Sequence, residues 1–202
     1  MTERPATDCS GLPTWGPAAS STTWWGTLAY VGIEGSGFVL AIGMYLYLAV
    51  INTQWPPSGV SLNPWPGVAL AALLLGSLFP NWWLNRMALR QDMRSVRLGL
   101  VVMSAVGCIA IAIRAVEIAL LGVRWDANAY GSMLWFIIGL HTVHLVTDVG
   151  ETIVITLLMF TRRGRPRRFA DVTDNAFYWI FVVVAWPPLL ALLYWPVLGG
   201  GS

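Results

Sequence analysis

The stretch 139–151, "GLHTVHLVTDVGE", sets His141, His144, Asp148 and Glu151 within thirteen residues of otherwise helix-forming sequence. At 100° per residue the four side chains fall within about 80° of one another, so a helix carries them as one polar stripe. A metal site, a haem-ligand helix, a proton relay and a polar packing seam all fit that spacing. The residues around the stretch are almost wholly apolar, and this makes the environment of the stripe the first question.

The chain has 202 residues, 56% of them hydrophobic and 11% charged, with twelve Trp. Its mean hydropathy is +0.64. Globular domains are about 25% charged, so this composition indicates an all-α integral membrane protein. Tryptophan gathers at membrane–water interfaces and fits the same class. A net charge of +2 gives no support to nucleic-acid binding. Cys9 and Cys108 stand far apart and form neither a disulfide framework nor a zinc site.

A bilayer core of roughly 30 Å calls for about 20 apolar helical residues, and lipid leaves no option but helix for each crossing. Five windows qualify, 24–51, 66–88, 97–122, 131–160 and 175–197, joined by short connections that favour antiparallel neighbours in one bundle. Residues 1–23 read as a polar N-terminal tail without the basic and apolar regions of a signal peptide. Residues 24–197 form the membrane domain, and 198–202 are a Gly/Ser tail resembling an appended linker. Arg86, Arg90, Arg94 and Arg97 lie in or beside the second connection, and Arg162, Arg163, Arg165, Arg167 and Arg168 in the fourth. Nine of the twelve basic residues therefore mark one side, which places the N-terminus in the cytoplasm and the C-terminus outside. That rule also accounts for the run "RRGRPRR" at 162–168. The outer stretch "WPPSGVSLNPWPG" at 55–67 reads as a turn-rich loop.

Ionisable groups at bilayer depth are costly and face protein or water, so each is a candidate functional group. Besides the stripe, the spans hold Glu34, Arg114 and Glu117. Counting about 1.5 Å per residue from the inner span ends puts Glu34, Glu151 and Asp148 at roughly 15, 13 and 18 Å. Arg114 and Glu117 lie at roughly 25 and 30 Å, level with His144 and His141. Two layers follow. The inner layer holds three acids, Glu34, Asp148 and Glu151, and three buried carboxylates without a basic partner disfavour full ionisation together. Proton passage and a neutral hydrogen-bonding seam both fit these acids. In the outer layer Arg114 and Glu117 neutralise each other at i, i+3, with His141 and His144 beside them. Metal binding is disfavoured because the two histidines are the only ones in the chain and share one helix, whereas two axial haem ligands must face each other from different helices. "GIEGSG" at 32–37 is not a nucleotide fingerprint, and its glycines suit close helix approach.

Three separated stretches, in one order, then suggest a family. "WWGTLAYVGIEGSGFVLAIGMYLYL" (24–48) is similar to a helix with a buried glutamate among aromatic and small residues. "WDANAYGSMLWFIIGLHTVHL" (125–145) is similar to an outer loop entering a helix with a Gly-x-His-x-x-His core, matched at Gly139, His141 and His144. "DNAFYWIFVVVAWPPLLALLYW" (174–195) is similar to a closing helix, matched at Tyr178, Trp179, Phe181, Val182 and Trp186. Over residues 24–197 the chain resembles subunit III of the haem–copper terminal oxidases, the cytochrome c oxidase type, in its five-helix bacterial form. The family usually has His and Asp where Ile180 and Val183 stand, and a His-rich segment where "NWWLNRM" (81–87) stands. Arg114–Glu117 and Asp148–Glu151 look like features of one branch.

The resemblance implies a non-catalytic subunit of an enzyme complex in the bacterial cytoplasmic membrane. It implies haem and copper in the partner subunits I and II and no metal or cofactor in this chain. It further implies bound phospholipid, packing on the catalytic subunit, and support of proton uptake and turnover stability, with Glu34 in the carbodiimide-sensitive acid position. A subunit III-like component of a nitric-oxide reductase has the same helices and stays open as a host. A stand-alone proton or ion transporter using the inner acids is the alternative of another class.

Overall fold

A computed structural model describes residues 22–161 and 168–199 as five helices. The expected tail up to residue 21, the arginines at 162, 163, 165 and 167, and the closing residues 200–202 lie outside the described residues. The helices are α1 (Thr22–Ile51), α2 (Trp65–Leu89), α3 (Met93–Ala119), α4 (Ala129–Phe160) and α5 (Arg168–Gly199). All five are long and apolar enough to cross a membrane. Even the 25 residues of α2 reach about 38 Å at 1.5 Å each, more than the hydrocarbon thickness.

Two boundaries differ from the hydropathy windows. Helix α3 starts at Met93 instead of 97 because Asp92 is its N-cap, its carboxylate accepting the backbone N–H groups of Arg94 and Ser95 at 3.2 and 3.4 Å. The turn before it is tight, with Gln91 at φ 59°. Helix α5 starts at Arg168 instead of 175, so the polar run "RFADVTD" is two further turns of helix and not a loop. Phe169, Val172 and Asp174 are buried while Arg168, Asp171 and Thr173 are not, a pattern that a plain hydropathy window averages away.

Helices α2, α3, α4 and α5 close a ring in which α2 packs on α3 and α5, and α4 packs on α3 and α5. Helix α1 stands outside the ring in the groove between α4 and α5, with no packing against α2 or α3. The expectation that sequence neighbours would be space neighbours therefore fails for α1 and α2. The connection 52–64 is long enough to release α1 to another face, and Trp55 within it wedges between Tyr45 of α1 and Tyr130 of α4 with ring centroids 5.2 Å from each. Most of α1 is bare within the chain, including Ile33, Leu40, Tyr47 and Val50.

Close approach of the ring helices depends on glycine. A Cβ at Gly107 of α3 would stand 2.6 Å from a methyl of Val149 on α4. One at Gly131, in the first turn of α4, would stand 2.2 Å from the carbonyl oxygen of Arg124. Beside these apolar contacts run polar ones: Arg97 Nε donates to the Met159 carbonyl at 2.8 Å, and the hydroxyls of Ser104 and Thr156 lie 3.0 Å apart, both between α3 and α4.

Gly131→Ala is expected to destabilise the chain by about 1–3 kcal/mol, since a backbone carbonyl cannot swing aside as a side chain can. Gly139→Ala, where an added Cβ meets nothing within 4 Å, leaves stability unchanged. Denaturant unfolding in micelles checks both, and equal effects would contradict the packing. Asp92→Ala should weaken the start of α3 in a pH-dependent way. Hydrogen bonds from Ser95 hold the Asp92 carboxyl below the ordinary aspartate value of 3.8. A lowered folded-state value contributes stability above that pH and loses it as pH falls through the lower one, so wild type and variant converge in acid.

Candidate functional site

The polar stripe of α4 divides by angle as well as by depth. Relative to His141, Asp148 lies about 20° away, while His144 and Glu151 lie about 60° and 80° to the same side. His141 and Asp148 consequently point into the ring, both fully buried, whereas His144 and Glu151 turn toward α1. This separates the residues into three groups instead of two layers.

The first group lies within the ring. Arg114 donates from one amino group to Glu117 Oε2 at 2.7 Å and from the other to His141 Nδ1 at 2.8 Å. Tyr194 donates its hydroxyl to Glu117 Oε1 at 2.8 Å. The guanidinium lies 3.8 Å above the ring of Trp186, whose indole N–H reaches the Gly67 carbonyl of α2. Every member is almost wholly buried. The partners fix the tautomer of His141: an arginine only donates, so Nδ1 is the acceptor, and Nε2 carries the hydrogen toward the Val182 carbonyl at 3.1 Å. With both ring nitrogens engaged and a cation against one of them, this imidazole is a neutral structural link. The arrangement agrees with the expected self-neutralising Arg114–Glu117 pair, and adds Tyr194 and Trp186 to it.

The second group lies between α1 and the ring. Tyr178 of α5 donates its hydroxyl to Glu34 Oε2, and His144 Nε2 approaches the same oxygen to 3.5 Å. His144 was expected beside Arg114 and Glu117, because depth alone put them level. The 60° turn of the helix brings it instead to Glu34. Its Nδ1 lies 2.6 Å from the Leu140 carbonyl and must donate there, which leaves the Nε2 lone pair facing a carboxyl oxygen. Phe38 and Phe181 pack on the His144 ring and cover it on the apolar side.

The third group sits nearer the arginine-bearing end of the bundle. Asp148 Oδ1 accepts from Asn175 Nδ2 at 2.9 Å, and Asn175 Oδ1 accepts from the Thr152 hydroxyl at 3.0 Å. Asp148 lines a cavity of about 160 Å³ together with Thr27, Tyr30, Glu151, Asp174 and Tyr178. Glu151 lines this cavity too but is exposed on the surface of the chain and is not a buried acid. Asp148 and Glu34 do not touch; Tyr178 stands between them, lining the cavity while donating to Glu34.

The remaining motif positions are structural. The Trp179 indole donates to Ser77 of α2 at 2.8 Å, and Gly139 lies on open helix surface with nothing near its Cα face. Asp174, Asn175 and Tyr194 join the site although the sequence did not single them out. Asp174 falls outside the window drawn for α5 and the others carry no motif; for Asp174 and Asn175 the available signal is an offset of four and three residues from Tyr178, and Tyr194 has no such signal. Among the described residues no three His, Cys, Asp or Glu side chains converge as a metal-binding group. The two imidazoles are taken up by Arg114, Val182, Leu140 and Glu34, so these residues do not fit a haem or copper.

Comparison with known proteins adds the family. The profile of "Cytochrome c oxidase subunit III" matches residues 36–197. Cytochrome c oxidase subunit 3 of Thermostichus vulcanus is 24% identical over 172 residues, which cover 84% of this chain and 85% of that protein. Probable cytochrome c oxidase subunit 3 of Nocardia farcinica is 24% identical over 173 residues, again 84% and 85%. The corresponding protein of Chondrus crispus is 26% identical over 155 residues, 75% of this chain but 56% of that longer relative.

Removing one partner of the buried ion pair should be severe. Arg114→Met strands Glu117 and is expected to cost about 3–5 kcal/mol, while Arg114→Met with Glu117→Met recovers most of the loss. A double-mutant cycle by unfolding in micelles measures this, and an additive double variant would show that the two charges do not depend on each other.

Proposed function

The chain belongs to the cytochrome c oxidase subunit III family, and from that premise we propose that it is the non-catalytic membrane subunit of a respiratory haem–copper oxidase. It packs on the catalytic subunit I beside subunit II, and these partners hold the haem and copper. The host membrane is the bacterial cytoplasmic membrane, with the N-terminus of α1 inside. Within that complex the chain binds phospholipid and supports proton uptake through Glu34.

The observation that carries the reading is the meeting of Glu34, His144 and Tyr178. They come from three helices, each was matched to the family pattern in sequence, and they share a single carboxyl oxygen. A carboxyl that meets an imidazole nitrogen and a phenol hydroxyl at one oxygen is a group placed to take a proton from one neighbour and pass it to another. Phospholipid is supported by a second feature. Between α1 and α5 runs an almost entirely apolar groove of about 360 Å³, lined by residues such as Val31, Phe38, Ile42, Phe181, Ala185 and Leu189. An acyl chain fits such a surface by burial of CH₂ groups, each contributing about 0.8 kcal/mol.

Purification from native membranes under mild conditions is expected to recover the chain in a large complex with haem and copper spectra. Isolation as a stable haem-free species would overturn the assignment. In the intact complex, Glu34→Gln should leave haem content unchanged and slow proton uptake during turnover, read with a pH indicator. Unaltered uptake would remove Glu34 from the proton-linked role.

A further inference from the structure

The cavity beside Asp148 is not explained by the role given to Glu34. It lies between α1, α4 and α5 and is lined by Thr27 and Tyr30, by Thr147, Asp148 and Glu151, and by Asp174, Asn175 and Tyr178. Two features set it apart from an ordinary polar seam. Asp148 and Asp174 are 1% and 7% exposed, and each has one carboxyl oxygen, Oδ2 in both, without a protein partner. Asp148 uses only Oδ1, on Asn175. Buried acceptors of this kind are satisfied by water or by their own protons. A volume of about 160 Å³ is room for several waters.

The charged and titratable groups around the cavity are almost all acidic or phenolic. Helix α1 contributes Tyr30, with Glu34 behind Tyr178. Helix α4 contributes Asp148 and Glu151, with His144 one turn deeper against Glu34. Helix α5 contributes Asp174 and Tyr178, with Asp171 one turn away and held 3.7 Å from Arg168. Among the described residues no basic side chain lines the cavity itself. Close carboxyl groups without a cation settle their charge by sharing protons.

We propose that this cavity is a hydrated proton-exchange site in which Asp148 and Asp174 share protons with water, and that Tyr178 connects it to the Glu34–His144 pair. The second half rests on the reading of Glu34 as a proton-linked acid. In the transfer, the Tyr178 O–H proton moves to Glu34 Oε2 while the phenol oxygen takes a proton from a cavity water. That water recovers its proton from the Asp148 or Asp174 carboxyl. One carboxyl of the cavity has then lost a proton, Glu34 has gained one, and tyrosine and water are unchanged. Glu151, exposed on the surface of the chain, also lines the cavity.

Infrared difference spectra of the full chain, purified with the subunits that accompany it, test this in water and in deuterium oxide. Protonated carboxyls absorb apart from carboxylates, so each acid is read directly. Asp148→Asn and Asp174→Asn, both of unchanged volume, are each expected to remove one protonated-carboxyl signal and to shift the pH response of the other. Tyr178→Phe should keep both signals but slow deuterium exchange at Glu34 by about tenfold or more. Exchange at Glu34 as fast as in wild type overturns the Tyr178 link. Independent titration of the two aspartates, or signals that follow sodium, potassium or magnesium concentration at fixed pH, overturns the shared-proton site, the latter in favour of a cation site. If these signals behave as expected while Glu34→Gln leaves proton uptake unaltered, the cavity stands and only the assigned role of Glu34 falls.

Discussion

A guanidinium in the middle of a membrane helix must be answered by the protein, because lipid offers it nothing. Arg114 is answered from three directions, by Glu117 on its own helix, His141 on α4 and the face of Trp186 on α5. Glu117 then needs a second donor and takes it from Tyr194, while Trp186 spends its indole hydrogen on Gly67 of α2. One charge thus fixes the relative positions of all four ring helices. It also decides what His141 can be: with an arginine on Nδ1 the ring has no site left for a further proton.

The same demand explains why the two histidines, one turn apart, differ in chemistry. His144 meets no arginine; its Nδ1 is taken by the Leu140 carbonyl and its Nε2 faces the Glu34 carboxyl. The polar stripe of α4 therefore serves different partners along its length, Arg114 at His141, Glu34 at His144 and Asn175 at Asp148. Helix α1, which makes no contact with α2 or α3, is held to the ring by packing on α4 and α5 and by the bond from Tyr178 to Glu34. Glu34 thus sits where the most peripheral helix is attached.

Much of this was legible before any coordinates. Length and apolarity give five spans because a membrane helix has to satisfy its own backbone, and the ionisable residues are conspicuous for the same reason. The Arg114–Glu117 pair follows from i, i+3 spacing and from Arg114 being the one arginine placed away from the span ends. Depth, by contrast, is one coordinate of two. Rise along the axis puts His144 level with Arg114, and only the direction of the helix face sends it to Glu34. That direction depends on which side of α4 receives α1, a choice made by packing across the long connection 52–64 and not written in any local motif. The start of α5 was lost for a different reason: Asp171, Asp174 and Asn175 lower the hydropathy of a segment whose buried face is continuous.

That hidden turn of α5 changes what the acids can do. Were the helix to begin at 175, Asp174 would be a loop carboxylate in solvent and Asp148 a lone buried acid with an amide partner. Because it begins at Arg168, Asp174 is carried into the bundle one helical turn from Tyr178, and Asn175 is oriented to hold Asp148 by one oxygen only. Asn175 is itself held by Thr152, so the amide that binds Asp148 Oδ1 is oriented from both sides while Oδ2 has no protein partner. Tyr178, on the same stretch of α5, lines that cavity and also donates to Glu34, so one residue ties both groups of acids to a single helix.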